Sequence, residues 1–420
     1  MTEQNMEDIR DKPLAGIRVL ELASVLAGPS VGMFFAELGA TVLKVENGST
    51  DGDVTRKWKL AAEPAGSDIS AYFSCVNWGK LSFAVNLCEA KGLELVYRLA
   101  RQSDIVLVSY KPGDAEKLKV DYPTLRAHNA RLIYAHITGY GLHNPRAGFD
   151  AIIQAESGFT YMNGDPSGPP TKMPVALMDV LAAHHLKEAI LLALLQRERT
   201  SRGQYIEASL LRAGLASLAN QATNWLVGGS IPGRMGSDHP NIVPYGTIYD
   251  TSDKKGIVVA AGTDKQFREL VTALGRPALA TDPRYAKNQD RVKNKAGINA
   301  ILQDLIGQYG REEVLQLLWS KRIPAGGVFN MKEVFEVPES REMLLDGRCA
   351  DGTAIRGVRS IAFSTGEQWG GSGLAPPPHY GEHTRMVLSD WLELPDKDID
   401  ALIKQQVVYA RKNTSRPGPH

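Results

Sequence analysis

The feature that most constrains this chain lies near its start. Gly16-Ile17-Arg18-Val19-Leu20-Glu21-Leu22 reads as a buried strand, Ala27-Gly28-Pro29-Ser30 breaks it, Val31 to Leu38 reads as a helix ended by Gly39, and Thr41 to Glu46 reads as a second strand. A strand–helix–strand unit of this size predicts two parallel strands joined by a right-handed crossover. Parallel sheets are covered on both faces, so the unit predicts an α/β domain with a Rossmann-like layer. Later segments extend the pattern: helix Gly92 to Arg101, strand Ile105 to Val108, and a strand from Arg131 running into the turn Gly139-Tyr140-Gly141.

Such a layer invites a dinucleotide-binding reading, with Glu46 as the ribose-binding acid. The glycines argue against it. Gly28 and Gly32 are four apart, so the chain has no G-x-G-x-x-G here, and no Walker lysine follows. Charge excludes another class. The 48 basic and 47 acidic residues leave a net charge of +1, with no basic block interleaved with aromatics, so nucleic acid is not an expected partner. Cys75, Cys88 and Cys349 lie far apart without a C-x-x-C, which indicates neither a disulfide framework nor a zinc site. No run of ~18 apolar residues occurs, and Met1 to Lys12 is polar and acidic, unlike a signal or transit peptide. A cytoplasmic protein without a membrane span is the expectation. The tail Arg411 to His420 reads as disordered.

The stretch Met173 to Leu211 is the most informative for function. Asp179 ends a short apolar run and opens a helix whose apolar positions Leu181, Leu186, Ala189, Ile190, Ala193 and Leu194 recur at helical spacing. Cations in Gln196-Arg197-Glu198-Arg199 suit its last turn. The plain reading of Asp179 is an N-cap. His184-His185 point about 100° apart on a helix and lack the i, i+4 spacing of a metal pair, so no metal site is expected.

Beyond Asp179 stands R-x-R-T-x-x-G-Q-x-I-E-x-S-L, carried by Arg197, Arg199, Thr200, Gly203, Gln204, Glu207, Ser209 and Leu210. With the opening L-A-G-I-R-V-L-E-L…A-G-P…L-G-A, this resembles the family III CoA-transferases. So do Asn77 to Leu87, the loop Ser109-Tyr110-Lys111-Pro112-Gly113, P-R-A-G-F-D-A around Asp150, H-P-N-I-V-P-Y, Ile323 to Val328 and P-x-Y-G-E-H-T near the C-terminus.

The resemblance implies Asp179 as the nucleophile that takes the acyl group. It also implies CoA contacts from Leu26, Ala27, Asn86, Ser109, Tyr110, Lys111, Lys117 and Arg146, with Asp150 as a second carboxylate nearby. Departures are Asn47 where a basic residue is usual, with Arg56 or Lys57 as substitutes, and Leu81 and Asn86 in place of Arg and Asp. Lys80 reads equally as a solvated strand-end charge. Phe149 stands where related acyl-CoA racemases keep a histidine base, and a phenyl ring accepts no proton, so transfer ranks above racemisation. The other rival, a silent acyl-CoA-binding subunit, is disfavoured by retention of Asp179.

The expected activity is CoA transfer from an acyl-CoA, succinyl-CoA by overall pattern, to a carboxylic acid, a dicarboxylic one by the same pattern. The route is an aspartyl anhydride and an aspartyl-CoA thioester. No bound cofactor is required; the CoA thioester is substrate. The implied architecture is a large domain from residues 1–225 and a smaller α/β domain from 226–340. Residues 341–420 return to the large domain, and the homodimer is an interlocked ring.

Overall fold

The computed structural model describes residues 12–364 and 373–411. The acidic N-terminal segment and the tail from 412 onward lie outside the described residues. Two compact units emerge: one from the chain up to Ser157, Pro174–Ala222 and the described residues from Met343, the other from Gly158–Met173 and Thr223–Glu342. The second unit therefore takes in 158–173, inside the range that sequence reading assigns to the large domain.

The first unit is built on a seven-stranded sheet. Its strands are β1 (Arg18–Leu22), β2 (Thr41–Asn47), β3 (Lys80–Val85), β4 (Ile105–Val108), β5 (Ile133–Thr138), β6 (Tyr205–Ser209) and a terminal strand, Val408–Tyr409. Their order is terminal strand, β3, β2, β1, β4, β5, β6. All pairings are parallel except that of the terminal strand with β3. The run 3-2-1-4-5-6 is the doubly wound order, with its switch point between β1 and β4.

One face of this sheet is apolar. Leu20, Leu43, Val45, Phe83, Val85 and Val106 pack with Leu95, Val96 and Leu99 of the helix Ala90–Arg101 and with Val387, Leu388 and Ile399 from the C-terminal segment. The other face carries charge. In register, Glu21 lies beside Lys44, and Lys44 beside Ser82; Glu46 and Lys80 follow at the two-residue strand period. All five are buried. Lys44 Nζ meets Glu21 at 3.1 Å and Asp53 at 2.9 Å, and Lys80 Nζ meets Glu21 Oε2 at 2.8 Å. Lys80 is thus no solvated charge, and burial pulls its pKa down to about 8.

Helix α1 (Ala27–Glu37) lies over this stripe. It begins four residues earlier than the sequence suggests, because Pro29 is tolerated within the first turn. Gly28 and Gly32 serve packing: a Cβ on Gly32 would sit 1.9 Å from Glu21 Oε2, and one on Gly28 2.4 Å from Ala23 Cβ.

The second unit has a three-stranded antiparallel sheet of β7 (Tyr245–Asp250), β8 (Gly256–Ala260) and β9 (Ala325–Gly327). Its core joins Tyr249, Ile257 and Val259 to Phe267, Leu270, Leu302 and Val314 from its helices. Among the described residues no helix is long and apolar enough to cross a membrane.

Candidate active site

Helix α2 (Leu177–Thr200) places Asp179 in its first turn, as its third residue. Sequence reading expects an N-cap; the N-cap is Ala176, which has no side chain able to cap. Capping comes from elsewhere. Asp150, first residue of α3 (Asp150–Glu156), accepts the Met178 N–H at 2.9 Å through Oδ1 and the Gln154 side-chain amide at 2.8 Å through Oδ2. Gln154 also donates to Val175 O at 3.2 Å. Asp150 therefore satisfies one of the orphan amides of α2, and Asp179 is free of that task.

Asp179 is partly buried, and burial is the main cause that lifts its pKa to about 6; the negative charge of Asp150 adds to the rise, and the Ala27 N–H, donating to the Asp179 carboxylate, opposes it. Amides and the dipole at a helix start favour the anion. They are outweighed, but at pH 7 it is still about nine-tenths ionised. A carboxylate of raised basicity, partly stripped of water, is a stronger nucleophile than an exposed one. Tyr72, from a short helix Ala71–Ser74, has its hydroxyl pKa pushed up to about 12 by burial first and the charge of Asp179 next.

The other predicted residues follow the carboxyl ends of the strands, where ligands bind in open α/β sheets. Leu26 and Ala27 follow β1, and Ser109, Tyr110 and Lys111 follow β4, on either side of the switch point. Ser109 Oγ accepts the Ser24 N–H at 3.0 Å, which ties the two loops together. His136 of β5 lies 2.8 Å by Nε2 from Tyr110 O and 3.2 Å by Nδ1 from Tyr205 Oη. Burial lowers its pKa. The neutral ring thus donates from Nε2 to the Tyr110 carbonyl and fixes that loop. Lys111 is exposed and has no ion-pair partner among the described residues.

Other candidates stand differently. Lys117 is exposed and 3.0 Å from Asp114. Arg146 pairs with Glu156 and lies 4.5 Å over the Tyr140 ring. Asn86 follows β3, two strands from β1; its side-chain oxygen accepts the Cys88 N–H at 3.0 Å, and its own N–H donates to Val407 O. Arg56 does not replace the missing cation at Asn47. It is buried and bound to both Glu46 oxygens at 2.7 and 2.8 Å, above the Phe73 ring. Lys57, the other substitute, is exposed beside Asp51. Glu46 is held by Arg56, Ser82 and the Asp53 N–H, so it faces no ribose. Val25, Asp53, His136 and Gln154 escape sequence reading, since each acts through a contact distant in sequence.

A doubly wound sheet thus brings a partly buried carboxylate of raised basicity to the loop after β1, beside the switch point where open α/β sheets bind their ligands. The model of CoA-transferase family III matches residues 14–384, and the chain belongs to that family. It is a CoA-transferase, with a CoA thioester as substrate. Succinate–glutarate CoA-transferase of Agrobacterium fabrum is 39% identical over 391 residues, 91% of this chain and 96% of that protein. Human succinyl-CoA:glutarate CoA-transferase is 33% identical over 406 residues, 94% of this chain and 90% of that one. The crystal structure of a CAIB/BAIF family protein from Brucella suis superposes with a TM-score of 0.80 at 36% identity, covering 90% of this chain and 99% of that chain.

Proposed function

We propose that this enzyme moves CoA from succinyl-CoA to a second dicarboxylic acid, with Asp179 as nucleophile. The observation that carries the reading is the Asp179 carboxylate in the first turn of α2, with a raised pKa and amide donors from Ala27 and its own backbone. The names of the relatives support the substrate class.

An Asp179 oxygen attacks the thioester carbonyl carbon; the C–S bond breaks, giving an acyl–aspartyl anhydride and CoA thiolate. The thiolate attacks the Asp179 carbonyl carbon and releases the first acid as its carboxylate, leaving aspartyl-CoA thioester. The acceptor carboxylate attacks that thioester, freeing thiolate and forming a second anhydride. Thiolate then takes the new acyl group, and Asp179 returns to its free form. One thioester replaces another, so no net energy input is needed. Lys111, Lys117 and Arg146 supply cations for the CoA phosphates.

Racemisation is the weaker reading. Phe149, at the N-cap of α3, is 58% exposed and offers no base. The enzyme acts as a homodimer in this reading, which covers Leu192 and Leu195 of α2, 67% and 55% exposed; sedimentation at micromolar concentration tests it.

Asp179→Ala should fold and lose transfer. Wild type incubated with succinyl-CoA and then hydroxylamine should carry a hydroxamate at Asp179. Transfer persisting in the Ala variant overturns the assignment.

A further inference from the structure

The turn from β1 into α1 has its main-chain groups claimed one by one by buried or distant side chains. Lys44 Nζ donates to Ala23 O at 2.9 Å, Ser109 Oγ accepts the Ser24 N–H at 3.0 Å, and Lys80 Nζ donates to Pro29 O at 2.8 Å. The Val25 N–H is shared between Asp53 Oδ2 at 3.3 Å and Oδ1 at 3.4 Å. Val25 itself has φ +71°, a left-handed conformation that a β-branched residue avoids. Such a residue persists where its surroundings over-determine it. Two residues on, the Ala27 N–H reaches the Asp179 carboxylate.

Asp53 is the hub of this arrangement. Its side chain is 1% exposed and meets Lys44 at 2.9 Å, and it accepts the Thr55 N–H at 3.0 Å and the Thr55 hydroxyl at 2.8 Å. Lys44 in turn holds Glu21. This is a stiff, buried mount, reached from the loop after β2.

We infer that Asp53, braced by Lys44, is a positioning residue for catalysis: it holds Val25 left-handed, which aims the Ala27 amide at the Asp179 carboxylate. The inference rests on the proposed role of Asp179. If Val25 relaxes to negative φ, the following peptides swing and the Ala27 N–H leaves its acceptor. The groups that face Asp179 are Asp150 from α3, Tyr72 from Ala71–Ser74, the Ala27 amide from α1 and the amide of Asp179 on α2. Of these, the Ala27 amide alone is carried on the Val25 turn. Its loss removes the larger of the two amide contacts that oppose the rise in basicity, so the acidic limb of the pH–rate profile moves to higher pH. A misaimed nucleophile also costs rate, on the order of 10²-fold.

The test is the pH profile of succinyl-CoA turnover in three full-length variants. Asp53→Asn should lower kcat, move the acidic limb upward and leave the KM for succinyl-CoA unchanged. Adding Val25→Gly, a residue that adopts left-handed φ without strain, should return the limb toward its wild-type position. Val25→Pro fixes φ near −65° without touching the Lys44–Asp53 pair, and should reproduce the Asp53→Asn shift even where Asp53→Asn itself fails to fold. An unmoved limb in Val25→Pro, or a double variant no closer to wild type than Asp53→Asn, overturns the inference. Asp179→Ala run alongside separates the two ideas. If it retains transfer, the nucleophile assignment falls; if it is inactive while Val25→Pro is unshifted, the positioning role alone falls.

Discussion

Asp179→Asn should make this protein more stable at neutral pH while abolishing transfer. The folded carboxyl has a pKa of about 6 against an unperturbed 3.8, from burial and the charge of Asp150. A raised folded pKa favours the protonated form in the fold. Its contribution to stability is therefore complete below 3.8 and is lost as pH rises through about 6. At pH 7.5 the loss is about two pK units at about 1.36 kcal/mol each, on the order of 3 kcal/mol. At pH 5 it is about half that. Asn carries no charge to repel Asp150, and its side-chain oxygen still accepts the Ala27 N–H. Unfolding entropy of about 2.1 cal/mol/K per residue over 420 residues makes about 0.9 kcal/mol/K. The variant should melt about 3 °C above wild type at pH 7.5, with the gap narrowing by about half at pH 5. Scanning calorimetry at the two pH values, beside a transfer assay, reads both effects. A variant less stable than wild type at pH 7.5, or a gain that does not shrink on acidification, refutes the picture of a carboxylate strained by burial and Asp150.

Other outcomes follow from the same structure. Glu21→Gln leaves Lys44 and Lys80 buried without their shared anion and should cost about 3–5 kcal/mol by urea unfolding; a loss under 1 kcal/mol would mean the stripe is effectively solvated. Gly32→Ala puts a Cβ against the Glu21 carboxylate and should destabilise by about 1–3 kcal/mol, again read by urea. Removing the charge of Lys117 or Arg146 should raise the KM for acyl-CoA far more than that for the acceptor acid; equal changes in both would count against phosphate contact. In deuterated water, a 2-methylacyl-CoA should exchange its α-proton about 10²–10⁴-fold more slowly than CoA moves to a dicarboxylate, as mass spectrometry would report. Exchange outrunning transfer for every acid tried would restore the racemase reading.

What was legible in the sequence is what depends on local pattern. The strands β1, β2 and β4 are short apolar runs, and their parallel pairing follows from the helices between them. The helix that opens near Asp179 is likewise marked by apolar residues at helical spacing. What was not legible depends on partners far along the chain. Nothing near Lys80 says that Glu21 waits 59 residues upstream, so a solvated reading stood open for a core charge. Arg56 read as a free cation because Glu46 and the Pro378 carbonyl that bind it are distant. The helices Leu210–Ala216 and Asn220–Leu226 are separated by Ala219 at φ +47°, a break that no glycine or proline marks.

The pairing of Val408–Tyr409 with β3 bears on how the chain is made. On the ribosome, β1 to β6 emerge early, but the strand that lies along the outer edge of β3 arrives some 320 residues after it. At about 5–20 residues per second, the stretch from Thr223 to Glu342 alone takes on the order of 6–24 s to synthesise. Through that interval β3 presents unpaired backbone to its surroundings, and its neighbours on the apolar face lack Val387, Leu388 and Ile399. An uncovered strand edge is a template for wrong pairing. Nascent chains stalled before Val407 should therefore be the aggregating species in cells, and chaperone demand should track translation speed through the second unit.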